Sequence, residues 1–234
     1  MISIEGSVQI AGIHDLDEAN LVKEAGADFL GFPLRLPVNS VDLTESKAKT
    51  VISQIGIPSV LITYQKKASE VIELCQFMEC PNIQLHGLIA LSELHWLREN
   101  APDLTIIKSI IVRADLASID PLKDEIAMQA PYVDAFILDS HNPQNGADGA
   151  TGLTHDWSIS RELVAYSTKP VILAGGLTPE NVATAIAQVK PAAVDTHTGV
   201  EGRDLRKDAD KVKLFVEEAR KALKKHTQFP QSQM

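Results

Sequence analysis

Short apolar runs alternate along nearly the whole chain with longer stretches whose apolar residues recur at helical spacing. The runs fall at residues 8–11, 28–32, 59–62, 83–85, 105–110, 135–138, 170–174 and 192–195. They are too short for helices and rich in Val and Ile, so they predict strands covered on both faces, as in a parallel sheet. The stretches between them carry helix punctuation. Asp15 with Glu18 reads as a capping box, and Gly26 as the glycine that ends that helix. Thr178 followed by Pro179 reads as an N-cap and first helical position. The last helix, about 208–225, ends in Lys221, Lys224 and Lys225, which suit the negative helix terminus. Eight strand–helix units fit a single (β/α)₈ TIM barrel over residues 1–225, with a polar tail at 226–234. The rival, a doubly wound open sheet, is weakened because no G-x-G-x-x-G follows the first run.

Charge and cysteine content narrow the partners. A net charge of −9 and a pI near 5.2 argue against nucleic acid and against anionic membranes as partners. No apolar run approaches the roughly 18 residues a membrane span needs. The first residues lack the basic, then apolar, order of a signal peptide. Cys75 and Cys80 have no zinc-finger companions, so two free thiols in a reducing cytoplasm are expected.

In a barrel, chemistry sits where strands end. The seventh run leads into Ala174-Gly175-Gly176-Leu177-Thr178, and the eighth into Asp195-Thr196-His197-Thr198-Gly199. Neighbouring glycines let backbone N–H groups approach an anion, so Gly175, Gly176, Thr198 and Gly199 predict a phosphate site. Asp139 ends the sixth run and is placed to act as general acid or base, with a helix N-cap as the bland alternative. Asp195 either meets ligand or anchors its loop. His86 either lines the pocket or hydrogen-bonds across the barrel. Lys108 lies inside the fifth run and needs an acidic partner or the pocket mouth. Asp156-Trp157 reads as an N-cap with a packed aromatic, and His14 as a surface or capping residue at the end of the first run.

Several segments together resemble the phosphoribosylanthranilate isomerase family. They are Ala25-Gly26-Ala27-Asp28 through Gly31-Phe32, Gln84-Leu85-His86-Gly87 and Gly149-Ala150-Thr151-Gly152 with Asp156-Trp157. Further along come Leu173 through Val182, and Val194-Asp195 with Gly199-Val200-Glu201. The segments are collinear from about Val8 to Ala222. The resemblance implies an Amadori rearrangement of an aminoaldose phosphate in tryptophan synthesis, with no metal or organic cofactor. It implies Asp139 as the acid that opens the furanose ring. It implies a phosphate held by Gly175, Gly176, Thr198 and Gly199.

Two positions depart from the family. The family's first strand reads Lys-Ile-Cys-Gly-Ile/Leu-Thr; here it reads Gln9-Ile10-Ala11-Gly12-Ile13-His14, and Ala11 cannot accept a proton. His14 is the candidate substitute base. The family's Ser-Pro-Arg after the second strand is Leu36-Pro37-Val38-Asn39-Ser40, and Arg35 is the candidate replacement carboxylate clamp. Three readings stay open: an isomerase with an altered base, a related barrel enzyme on another sugar phosphate, or a non-catalytic phosphate-ligand barrel. The expected partner is a phosphorylated sugar-type small molecule, and the expected assembly a monomer or homodimer.

Overall fold

A computed structural model describes residues 2–36, 43–113, 116–140 and 156–227, the side chains at 225–227 excepted. The elements run β1 (Val8–Ala11), α1 (Leu16–Glu24), β2 (Phe29–Pro33), α2 (Glu45–Ile55), β3 (Ser59–Thr63), α3 (Ala68–Met78), β4 (Asn82–Leu85) and α4 (Leu91–Asn100). They continue as β5 (Thr105–Val112), α5 (Asp120–Gln129), β6 (Ala135–Ser140), α6 (Trp157–Tyr166), β7 (Val171–Leu173), α7 (Val182–Val189), β8 (Ala193–Thr196) and α8 (Ala209–Thr227). The strands pair in parallel, in chain order, and β8 returns to β1, so the sheet closes into a (β/α)₈ barrel.

Alternation along each strand divides its side chains between two cores. Val8, Ile10, Leu30, Leu61, Ile83, Ile106, Phe136, Leu138, Leu173 and Val194 face outward and form one apolar cluster with the helices. Phe29, Val60, Ile107, Ala135, Ile137, Ile172, Ala174 and Ala193 form a second cluster inside the barrel, joined by Ile4. The next inward positions toward the strand ends are polar. Ser109 follows Ile107, Asp139 follows Ile137 and Asp195 follows Ala193, and all three are buried. The lumen is thus apolar below and polar above, which fixes the end where chemistry can occur.

Most expected boundaries hold within a residue or two. β6 extends to Ser140 and β8 to Thr196, so Asp139 and Asp195 sit one residue inside their strands rather than at the tips. Asp15 caps α1 by accepting from the Glu18 N–H at 2.9 Å. The return bond differs from a capping box, because the Glu18 carboxylate accepts from the His14 N–H, one residue before the cap. At the other end, Gly26 at φ +93° closes a Schellman turn: its N–H bonds Lys23 and that of Ala27 bonds Val22. α7 begins at Val182, not at Pro179. The Asn181 side chain accepts from the Thr178 N–H and donates to the Gly176 carbonyl, holding the segment as a turn before the helix. α8 runs to Thr227, two residues into the expected tail, and residues 228–234 lie outside the described range.

Lys108 is neither in the lumen nor at the mouth. It shares the outward parity of Ile106 and Ile110, is 2% exposed, and donates from Nζ to the Ser109 carbonyl at 2.6 Å. Burial depresses its ammonium to about 8, opposed by the charge of Glu125 on α5. Because the unfolded chain holds this proton more tightly, the wild type should gain stability relative to Lys108→Met as pH rises from 8 to 10.5. The expected gain is on the order of 3 kcal/mol. Denaturant titrations of both proteins across this range test it; a constant difference would mean that Lys108 is solvated.

Candidate active site

The upper lumen holds a chain of polar side chains contributed by non-adjacent strands. Gln9 Nε2 on β1 donates to Gln84 Oε1 on β4 at 3.2 Å, a bond that crosses the barrel interior. Gln84 Nε2 lies 3.4 Å from His86 Nδ1, and the Ser109 hydroxyl lies 2.9 Å from the same nitrogen. With the amide donating, Nδ1 accepts and the imidazole proton sits on Nε2. That nitrogen faces Asp139 Oδ2 at 3.9 Å. The other Asp139 oxygen accepts from the Ser140 N–H at 2.7 Å. His86 therefore lines the lumen and reaches across it, joining the two alternatives its sequence position left open.

Asp195 lies beside this chain. Its Cα pairs with Gln9 in the β8–β1 register. Its carboxyl is pushed up to about 7, first by burial and then by the charge of Asp139, while Gln9 and Lys207 pull the other way. Asp195 Oδ1 is buried with no hydrogen-bond partner among the described residues. That is a costly state unless a ligand or proton supplies the missing bond.

The end of β6 and the loops after β7 and β8 interlock. A Cβ on Gly175 would stand 2.1 Å from Ser140 Oγ, and one on Gly199 would stand 1.8 Å from the Leu177 carbonyl oxygen. Thr196 Oγ1 donates to that same carbonyl at 2.8 Å. Gly175 and Gly176 both hold positive φ. The expected anion-site glycines thus serve first to let backbone meet backbone. In doing so they leave donors exposed: the N–H groups of Gly175, Gly176, Thr198 and Gly199 bond nothing among the described residues. Four such groups at adjoining strand ends form a cradle suited to phosphate.

The rim beyond β1 and β8 carries a second cluster that the sequence pattern had not singled out. A Cβ on Gly12, at φ +77°, would fall 1.9 Å from His197 Nε2, so this ring lies across the glycine. Burial first, then the charges of Lys207 and His14, drives the His197 imidazole down to about 3, so it stays neutral. Lys207 donates to the His197 carbonyl at 3.0 Å and to Glu201 at 2.9 Å. His14 Nδ1 lies 2.9 Å from Glu18 Oε2, with its side chain one quarter exposed. The other Glu18 oxygen takes the Lys207 N–H. The bridge Glu201↔Lys207 holds this loop shut, and its only sequence trace is a pair of opposite charges beyond the glycine.

The other expected residues take clear places. Arg35 follows β2 at φ +52° and is engaged by two acidic side chains, Glu45 at 2.8 Å and Glu73 at 3.7 Å. Asp156 caps α6 through the Ser158 N–H. Trp157 packs on the outer core, and its Nε1 finds no partner among the described residues. The Gly149–Gly152 segment and residues 37–40 lie outside the described range. Both thiols are free and buried; Cys80 Sγ donates to the Ser59 carbonyl, at the opposite end of the barrel from Asp139. Among the described residues no cluster of His, Cys, Asp and Glu is arranged to hold a metal, and no helix is long and apolar enough to cross a membrane.

If the loops interlock through bare glycine, Gly199→Ala should cost roughly 1–3 kcal/mol, as overpacking does. It should also abolish any stabilisation by phosphate. Urea unfolding with and without phosphate measures both, and a wild-type midpoint would refute the interlock.

Comparison with known proteins identifies the family. The profile of the N-(5'phosphoribosyl)anthranilate (PRA) isomerase family matches residues 8–218. The chain is similar to N-(5'-phosphoribosyl)anthranilate isomerase of Methanosarcina acetivorans, with 36% identity over 228 residues, 93% of this chain and 94% of the relative. It is also similar to the Moorella thermoacetica enzyme of the same name, with 36% identity over 223 residues, 94% and 92% of the two chains. Among solved structures, phosphoribosyl anthranilate isomerase from Thermotoga maritima superposes with a TM-score of 0.77 at 26% identity, over 92% of this chain and 98% of that one. The Pyrococcus furiosus isomerase gives 0.75 at 26% identity with the same coverage. The chain belongs to the N-(5'-phosphoribosyl)anthranilate isomerase family.

Proposed function

We propose that this chain is an aldose–ketose isomerase that converts N-(5'-phosphoribosyl)anthranilate to the corresponding aminoketose phosphate, a step of tryptophan synthesis. The observation that carries this reading is one juxtaposition. Two buried carboxyl groups, Asp139 and Asp195, lie at the same end of the barrel as four N–H groups that bond nothing among the described residues. The cradle of Gly175, Gly176, Thr198 and Gly199 holds the phosphate. Asp139 is the acid that protonates the ring oxygen, and His86 orients it through Nε2. Ring opening by a placed acid contributes typically 10²–10⁴ in rate, and positioning by the phosphate supplies much of the rest.

The carboxylate end of the substrate is less well provided. Arg35 is held by Glu45 and Glu73, so it clamps a second carboxylate only by sharing its guanidinium. Ala11 offers a methyl group, which packs against Gly31. His14 Nδ1 lies 2.9 Å from Glu18 Oε2. The Ala11 and Arg35 features favour the third reading, a barrel that binds a phosphorylated ligand without turnover.

Three outcomes are expected. Millimolar phosphate raises the melting temperature of the wild type, as ligand linkage requires. The wild type turns over phosphoribosylanthranilate, and Asp139→Asn lowers turnover by about 10²–10⁴ while the unfolding midpoint is kept. Ala11→Cys changes turnover little, because another group already accepts the proton. No wild-type turnover, with phosphate binding intact, would select the non-catalytic reading.

A further inference from the structure

The register of the barrel places four inward residues in one row. Gln9 pairs with Asp195, and continuing the β7–β8 and β6–β7 ladders by one residue aligns Ala174 with Asp195 and Asp139 with Ala174. Only the Ala174 methyl separates the two carboxyl-bearing positions. Asp195 is 7% exposed, aims into the lumen beside Gln9, and has an oxygen without a partner among the described residues. Among the described residues, other basic groups near the mouth are committed. His197 is too weakly basic, Lys207 is paired with Glu201, and the two thiols are at the far end. His14 stands off the strand, at the N-terminus of α1, with its ring tied to Glu18.

We propose that Asp195 is the catalytic base that takes the C2 proton of the substrate, in the place of the thiol that Ala11 lacks. The assignment rests on the isomerase reading above. Asp139 gives its proton to the ring oxygen as the C1–O bond breaks, leaving an open-chain iminium. Asp195 takes the C2 hydrogen; the C–H electron pair becomes the C1=C2 bond, and the iminium π pair returns to nitrogen. The resulting enolamine receives the proton from Asp195 at C1. It releases its O2 proton to Asp139 as the ketone forms, and both carboxyl groups return to their starting states. Burial and the neighbouring Asp139 charge raise the Asp195 carboxyl to about 7, so the base form of Asp195 grows in as pH rises through neutrality. The ionisable groups acting on Asp195 are Asp139 from β6, Lys207 beyond β8 and, through Asp139, His86 after β4; Gln9 and Ala174 on the flanking strands do not titrate.

The test uses the full chain and substrate deuterated at C2. Asp195→Ala should lower turnover by about 10²–10⁴, leave the phosphate-induced shift in melting temperature unchanged, and recover at least tenfold with added formate. The wild type should show a primary isotope effect. Turnover of Asp195→Ala within tenfold of wild type, a loss that formate does not restore, or an isotope-sensitive step abolished by His14→Ala instead would overturn the proposal. If Asp195→Ala does not fold, the isosteric Asp195→Asn replaces it, and turnover within tenfold of wild type then overturns the assignment. A wild type inactive on phosphoribosylanthranilate sinks the isomerase reading itself, whereas an active wild type with an active Asp195 variant sinks only the base.

Discussion

Gln9 and Gln84 meet through the centre of the barrel, and the upper half of the molecule is organised around that amide–amide bond. A lumen of this width is filled by side chains, and any polar group placed there loses water on all sides. The amides answer this by passing hydrogen bonds from strand to strand: Gln9 to Gln84, Gln84 to His86, His86 toward Asp139. Each member fixes the next, so the imidazole tautomer follows from an amide two strands away from the carboxyl it serves. Below this layer the lumen is apolar and closed by Ile4. The carboxyl groups therefore rest on a dry floor and open only toward the loops, where their protonation responds to one another rather than to bulk solvent.

The glycines of the β7 and β8 loops serve the same constraint from above. Gly175 makes room for Ser140, and Gly199 for the carbonyl of Leu177. Bringing the end of β6 and the β7 and β8 loops together leaves four N–H donors without a partner among the described residues. Asn181 adds to this by taking up the turn before α7, at the cost of starting the helix later than Pro179 would suggest. One set of small residues thus closes the chemical end and leaves the anion donors unsatisfied.

The barrel was legible because both of its cores demand apolar strands, and those runs of Val, Ile and Leu stand out whatever their register. The places of Asp139, His86 and the paired glycines at the mouth were legible because they follow the strand runs directly. What stayed hidden depends on parity and on partners. Lys108 reads like a lumen residue until the register shows that it shares the face of Ile106 and Ile110. Arg35 reads as an available cation until Glu45 and Glu73, far along the chain, are seen to hold it. His197 and Lys207 become a pair only when the loop folds back through Glu201. Gln9 and Gln84 gave no signal separately, since their bond joins strands that are not neighbours.

Asp195, proposed as the base, bears on how proton transfer is shared in a barrel whose first strand ends in Ala11. A thiol acting with Asp139 titrates on its own, and acid and base can then be tuned apart. Two carboxyl groups in one register row, with only Ala174 between them, titrate as a coupled pair whose two protons leave in separate steps. Burial and the charge of Asp139 both raise the cost of ionising Asp195. Such a couple is competent while it holds a single proton: with two it has no base, with none it has no acid. The narrow apolar lumen that stabilises the barrel therefore also sets the pH interval in which the couple works. Lys207 acts against this interval by favouring ionisation of Asp195, and its burial under the β8 loop keeps that charge from being screened away. The ion pair that closes the loop and the proton count of the carboxyl couple are in this way linked through the single charge of Lys207.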